Sequence, residues 1–157
     1  MTSNYFTYEK GKVIQALRYH FISKKEIKTL MILVNVFAIL SAVLYFYKVV
    51  SPFAFLIGTL LWFGLMTTFW FLMPFLIFRR THTFKDQFRV IFSAADFTLQ
   101  NEQGERSWEW KSISHFLESP HFFHVYFSST SFFIIPKDAF PGDMVHTARK
   151  YFQEHIK

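Results

Sequence analysis

The chain contains seven histidines, a residue type that can bind a metal ion or transfer a proton. His121 and His124 are three positions apart, which on a strand directs them to opposite faces; His146 and His155 fall on opposite sides of a helix. Neither pair can chelate an ion locally. His115 could approach one of them across a sheet. Without a cysteine or a clear carboxylate partner, we expect ordinary surface or edge histidines and no metal site.

The other polar groups also lack the spacing of a catalytic site. Glu105 and Glu109 share a strand face, but no cleft is indicated that would separate their pKa values, so we expect a solvated face. No motif places a base beside the serines between Ser128 and Ser131, and a polar turn centred on Ser129-Thr130 is expected there. The chain has five glycines, no Gly-rich phosphate loop and no cysteine. We therefore predict no enzymatic activity and no cofactor.

Residues 29–78 form the largest element, a fifty-residue apolar stretch with one charge, Lys48, near its middle. A membrane-spanning helix needs about 20 apolar residues, and a lysine at its centre costs roughly 2.5–3.5 kcal/mol. Two spans that return Lys48 to water are favoured, and Ser51-Pro52 suits the start of the second. We predict spans at about 28–48 and 52–75. A buried hairpin in a water-soluble protein would leave too few other residues to cover both helices.

The net charge of +6 is concentrated beside the apolar stretch. From residue 91 onward there are six basic and eight acidic residues, so no basic patch for nucleic acid is expected. Short flanks rich in Lys and Arg stay cytoplasmic, which predicts that both termini are cytoplasmic. The residues expected at the anionic membrane surface are Lys24, Lys25, Lys28, Arg79, Arg80, Lys85 and Arg89.

Small and polar residues inside the two spans predict how the helices meet. Asn35 lies at a depth close to that of Thr67 or Thr68, which favours an interhelical hydrogen bond over a transport path. Pro74 is expected to kink or end the second helix, and the Ser23–Glu26 segment matches a capping box. The small residues expected to allow close helix contact are Ala38, Ala42, Gly58 and Gly64.

The flanks of the apolar stretch show different periodicities. Tyr5–Tyr8 predicts a short strand, followed by an amphipathic helix that either lies on the membrane or packs on the C-terminal domain, with packing favoured. After residue 87 the period is two, which predicts six strands of a meandering antiparallel sheet, curled or barrel-like. Residues 141–156 predict a C-terminal helix whose apolar stripe contains Met144, Val145, Ala148, Phe152 and Ile156.

The expected fold is thus a membrane α-helical hairpin plus a cytoplasmic α+β domain, an antiparallel pleckstrin-homology-like (PH-like) curled sheet capped by a C-terminal helix. The strands are expected near residues 88–92, 96–100, 105–110, 113–118, 122–128 and 132–137. Trp108 and Trp110 are expected on one face of the third strand, where core packing is favoured over an exposed partner face.

Three segments carry a family resemblance. The step Trp110-Lys-Ser-Ile113, the aromatic strand Phe122–Phe127 and the segment Phe133–Phe140, together with the two apolar spans, resemble the YcxB-like family of small bacterial membrane proteins. The resemblance implies a bacterial inner-membrane protein with a cytoplasmic PH-like domain.

The sequence therefore predicts three parts: an N-terminal strand and helix over 1–28, a transmembrane hairpin over 29–78 and a PH-like domain over 79–157. We expect a non-enzymatic interaction or regulatory module with a protein partner, and a homo-oligomer is compatible with this. The alternative is a lipid or small-ligand sensor at the membrane surface. An enzyme acting on a membrane substrate would need a polar pocket that unites His115 or His124 with a carboxylate.

Overall fold

The computed structural model describes residues 1–128 and 131–156, and its contacts divide the chain into two compact units. The helical unit comprises Leu17–Arg80, and the sheet unit comprises Met1–Ala16 together with Thr81–Lys157. Residues 1–16 are therefore grouped with the C-terminal region.

Helix α1 (Lys10–Ser23) begins in the sheet unit and continues into the helical unit. Val13 and Ala16 are buried in the part of the helix that belongs to the sheet unit, so this part packs in that unit. The predicted capping box at its end is wrong: the Ser23 hydroxyl donates to the carbonyl of His20, and Lys24 precedes the next helix without a side-chain cap. The break itself occurs at the predicted position.

Two apolar helical segments form most of the helical unit. Helix α2 spans Lys25–Phe46, and α3 spans Pro52–Thr67 and continues through a π-helical turn, Thr68–Leu72, into α4 (Met73–Arg80). Both segments are long and apolar enough to cross a membrane. They begin and end a few residues from the predicted span limits. Pro74 does not end the second segment, because the π-turn precedes it and the helix resumes.

The turn between α2 and α3 confirms the position predicted for Lys48. This residue has a φ of 58°, the left-handed conformation that closes many helix ends. Ser51 then starts α3, since its hydroxyl oxygen accepts a hydrogen bond from the Ala54 amide at 3.3 Å and Pro52 occupies the first turn.

The sheet unit contains two separate antiparallel sheets, so the prediction of one continuous meander is wrong. The first has the order β1 (Arg89–Phe92), β2 (Asp96–Asn101), β3 (Gly104–Glu109), and the second has the order β4 (His115–Glu118), β5 (Phe122–Tyr126), β6 (Phe132–Pro136). The chain leaves β3 at Trp110, which starts a 3₁₀ turn and whose indole nitrogen donates to the carbonyl of Ser93 at 3.1 Å. That inward rotation ends the strand one residue early and separates the sheets.

The N-terminal segment pairs with the outer edge of β1. Phe6 and Phe88 exchange backbone hydrogen bonds at 2.8 and 3.0 Å, and the Ser3 amide donates to the carbonyl of Val90 at 2.8 Å. The predicted Tyr5–Tyr8 strand is present as these bridges and not as a regular strand. Because β1 pairs with β2 on its other side, the segment covers an edge that would otherwise be open.

Aromatic rings fill the core between the sheets and helix α5 (Met144–His155). The Phe92 ring lies 5.2–5.9 Å from those of five residues, and α5 buries Ala148 and Phe152 as its predicted stripe requires. The helix begins at Met144 and not at residue 141, after Gly142 adopts a positive φ of 56°. The rings around Phe92 are those of Phe97, Trp110, Phe140, Tyr151 and Phe152.

Candidate functional site

The histidines are dispersed: His20 lies in the helical unit, and the other six lie in the sheet unit. His115 stacks on Tyr126 at 4.2 Å, and His155 lies 4.9 Å from Trp110. His20 and His124 are buried, so the expectation of surface or edge histidines is wrong for these two residues. In residues 1–128 and 131–156, no group of three potential metal ligands occurs.

A buried serine and histidine meet at the turn between β4 and β5; on the surface, the Ser114 hydroxyl oxygen also lies 3.2 Å from Nδ1 of the neighbouring His115. The Nε2 atom of His124 is 2.9 Å from the Ser119 hydroxyl oxygen, and this hydroxyl also donates to the carbonyl of Phe122 at 3.2 Å. Both side chains are buried. The contact therefore fixes the turn and presents no exposed nucleophile.

The remaining polar candidates lie on exposed surface. Glu105 and Glu109 are exposed, and Glu109 pairs with exposed Lys111 at 2.6 Å, which confirms the solvated face. The amide of Ser131 donates to the hydroxyl of Ser128 at 3.0 Å, as in a polar turn. The predicted turn residues Ser129 and Thr130 themselves lie outside the described residues.

A groove of about 610 Å³ lies beside Trp108 on the sheet unit. The Trp108 ring packs 4.9 Å from Phe127, and the Arg106 guanidinium lies 5.1 Å from the Trp108 ring centroid. Within the described part of the chain, the lining includes neither His115 nor His124. Its apolar part consists of Phe88, Leu99, Trp108, Phe127, Phe132 and Phe133.

The two tryptophans expected to share a face have different environments. Trp110 is only 5% exposed and belongs to the core, whereas Trp108 is half-buried at the groove. Core packing was the favoured expectation, and Trp110 follows it. Of the two rings, only Trp108 remains accessible to a partner.

The hydrogen-bond partner of Asn35 inside the helical hairpin differs from the predicted one. The Asn35 amide nitrogen donates to the carbonyl of Met31 at 2.7 Å, and its oxygen accepts from the Trp62 indole at 3.4 Å. Asn35 thus meets Trp62 and not Thr67 or Thr68, because the indole reaches further across the interface. The Thr68 hydroxyl donates within its own helix, to the carbonyl of Gly64 at 2.7 Å.

The predicted small-residue contacts are only partly present. Ala38, Ala42 and Gly58 line an apolar cleft of about 420 Å³ between α2 and α3. A methyl group added to Gly58 would lie 3.9 Å from the Ser41 hydroxyl, whereas one added to Gly64 would meet no atom within 4 Å. Gly64 is therefore not a close-contact residue.

The predicted membrane-surface cations have two kinds of environment. Lys25, Lys28, Arg79, Arg80 and Lys85 are exposed, and Lys24 is half-buried. Arg89 instead lies on β1, where it donates to the Gln100 side chain and its guanidinium lies 5.0 Å from the Tyr5 ring centroid. This cation is engaged within the sheet unit.

An ion cluster that sequence reasoning missed connects the second sheet to α5. Glu118 accepts hydrogen bonds from Arg149 at 2.6 and 2.8 Å and pairs with Lys137 at 2.6 Å. Hydrogen bonds from Arg149, and then from Lys137, lower the pKa of Glu118 to about 2. Its partners lie nineteen and thirty-one positions away in sequence, so no local pattern indicated the cluster.

A second missed contact joins α1 to the π-turn within the helical unit. The Arg18 Nε atom donates to the carbonyl of Trp70 at 2.8 Å, and the guanidinium lies 5.5 Å from the Trp70 ring and 5.0 Å from the Phe71 ring. The sequence signal was Pro74, shortly after Trp70, which has no N–H to donate to the preceding turn.

Comparison with protein families matches residues 92–151 to the YcxB-like protein family. Comparison with curated proteins and with solved structures finds no match. The matched residues run from the end of β1 into α5 and include all three segments that carried the resemblance. The resemblance is thus confirmed over residues 92–151, which are a YcxB-like region of this chain.

Proposed function

We propose that this protein is a membrane-anchored, non-enzymatic interaction or regulatory module of a bacterial inner membrane, with both termini cytoplasmic. In this proposal the helical unit is a transmembrane hairpin. The six strands and C-terminal helix of the sheet unit support a PH-like domain, and this domain binds a protein partner. Restricting the domain to the membrane raises its effective concentration near other membrane components.

The observation that carries the proposal is the uncovered apolar surface of the hairpin. Every residue of α2 and α3 is half-buried or exposed, and large side chains such as Phe37, Ile39 and Leu61 are 64–67% exposed. Water-soluble monomers rarely expose a contiguous apolar surface of this extent. Lipid would cover these side chains and provide the environment that the composition of both helices requires.

The groove beside Trp108 is the surface at which the partner is expected. It combines accessible aromatic rings with polar groups at its rim, a composition common at protein interfaces. A photoreactive amino acid at exposed Glu105, which lines the groove, should crosslink one reproducible protein in cells. The adduct should weaken with Trp108→Ala and should not form when the probe is placed at Gln153, an exposed position on α5. Equal capture from both positions, or none across growth conditions, would argue against the proposal.

Lipid sensing is the second candidate, supported by the exposure of Arg79, Arg80 and Lys85. Replacing these three residues by glutamine would then weaken a response of the full chain to anionic lipid. The protein-partner hypothesis predicts instead that the same variant leaves crosslinking from Glu105 unchanged. The full chain is needed for either comparison, because a fragment starting at residue 79 lacks the N-terminal segment that pairs with β1.

A further inference from the structure

We infer that Arg18, held by the π-turn of the second apolar segment, binds the phosphate group of an anionic phospholipid. The inference rests on the proposed membrane placement and adds a specific ligand site to it. Arg18 belongs to the basic flank before the first apolar segment, and the sequence pattern of that flank indicated only its topology. The structure gives Arg18 a defined position through contacts within the helical unit.

The Arg18 guanidinium is held in place by contacts with Trp70 and Phe71. Trp70 lies in the π-turn shortly before Pro74, a residue that has no N–H to donate to the preceding turn. The Nε atom of Arg18 donates to the Trp70 carbonyl at 2.8 Å. The rings of Trp70 and Phe71 lie at cation–π distance from the same guanidinium, so the group is oriented by three contacts before any ligand arrives.

The contacts of Arg18 leave the two terminal nitrogens of its guanidinium available to a ligand. Only Nε is used by the Trp70 carbonyl, so the two terminal nitrogens retain their N–H donors. Among the described residues, Arg18 forms no ion pair with a carboxylate. A planar guanidinium can bind two oxygens of a phosphate at once, which a lysine ammonium cannot do.

The position of Trp70 along the second apolar segment places Arg18 at the depth of the lipid phosphates. Trp70 lies eighteen positions after Pro52, or about 27 Å along the helix at 1.5 Å per residue, close to the hydrocarbon thickness of about 30 Å. With the Lys48 turn at one face of the membrane, Trp70 and the bound Arg18 lie near the opposite hydrocarbon boundary. Lipid phosphates lie just outside that boundary, and tryptophan is enriched there.

The test uses the full chain in detergent, titrated with phosphatidic acid, phosphatidylglycerol or zwitterionic phosphatidylcholine, with bound lipid counted by native mass spectrometry. Arg18→Gln keeps an amide donor for the Trp70 carbonyl but removes the charged fork, and it should weaken anionic lipid binding about tenfold. Lys48→Gln removes one positive charge from the exposed turn between α2 and α3 and should change binding less than about twofold. Arg18→Lys keeps the charge without the fork and should give an intermediate loss.

Equal losses in Arg18→Gln and Lys48→Gln would overturn the inference, because net charge alone would then explain binding. An unchanged affinity in Arg18→Lys would overturn the two-oxygen geometry. Competition by inorganic phosphate would identify free phosphate as a ligand of the same group, and its failure to compete would identify the lipid-borne phosphate.

Circular dichroism checks that each variant keeps its helices. Flotation of the wild type with vesicles tests the membrane placement separately, so an unanchored protein and an inactive Arg18 give different results.

Discussion

Phe92→Ala should destabilise the sheet unit by about 3–5 kcal/mol, the loss expected when a buried phenylalanine is truncated. The Phe92 side chain is only 2% exposed and contacts rings from β2, from α5 and from Trp110 and Phe140, so truncation leaves a cavity shared by several elements. Close-packed aromatic rings cannot collapse into such a space without leaving their rotamers.

Hydrogen exchange of β5 amides in the full chain measures this effect, because β5 is central in its sheet and all of its residues are buried. The opening free energy should fall in Phe92→Ala and change little in Tyr5→Ala, which removes a 48% exposed ring from the same unit. Similar exchange in both variants would show that the core is not organised around Phe92.

Glu118→Gln should cost about 2 kcal/mol of stability at neutral pH, because it leaves Arg149 and Lys137 without their shared carboxylate. The ion cluster joins β4, the residue after β6, and α5, so its loss should loosen the second sheet from the helix. Glu109→Gln is the matched control, since Glu109 pairs with exposed Lys111 at the surface and its replacement should change stability very little.

The same cluster predicts a pH dependence. The folded-state pKa of Glu118, about 2, lies below its unfolded value near 4.5, so the stabilisation is present above pH 4.5 and is lost as the pH falls toward 2. The stability difference between the wild type and Glu118→Gln, measured by urea unfolding in detergent, should shrink across that interval. A difference that stays constant from pH 6 to pH 3 would contradict the assigned pKa.

Local features of the fold were predictable from the sequence. The Lys48 turn, the start of α3 at Ser51-Pro52 and the stripe of α5 depend on neighbouring residues whose types determine a cap, a break or a helical face. The six strands followed from alternation alone. Their division into two sheets did not, because it depends on Trp110 turning inward to donate to a carbonyl seventeen positions earlier.

Contacts between distant segments were the least predictable part. The prediction that Asn35 bonds to Thr67 or Thr68 used only their similar depth in the membrane. The longer Trp62 side chain instead donates the hydrogen bond to Asn35. The grouping of the N-terminal segment with the C-terminal sheets depends on backbone pairing with β1, which leaves no periodic signal. Arg18 is the most informative case, since the proline that indicated a kink also has no N–H to donate to the preceding turn, whose Trp70 carbonyl Arg18 contacts.

The central claim, that the hairpin crosses a membrane with both flanks cytoplasmic, is tested most directly by cysteine labelling in intact bacterial cells. The chain has no cysteine, so Lys48→Cys and Glu102→Cys each provide a unique thiol at an exposed position in a turn. A membrane-impermeant maleimide should label the Lys48→Cys protein from outside, and the Glu102→Cys protein only after the cells are lysed. External labelling of Glu102→Cys, or equal protection of both thiols until lysis, would contradict the proposed topology.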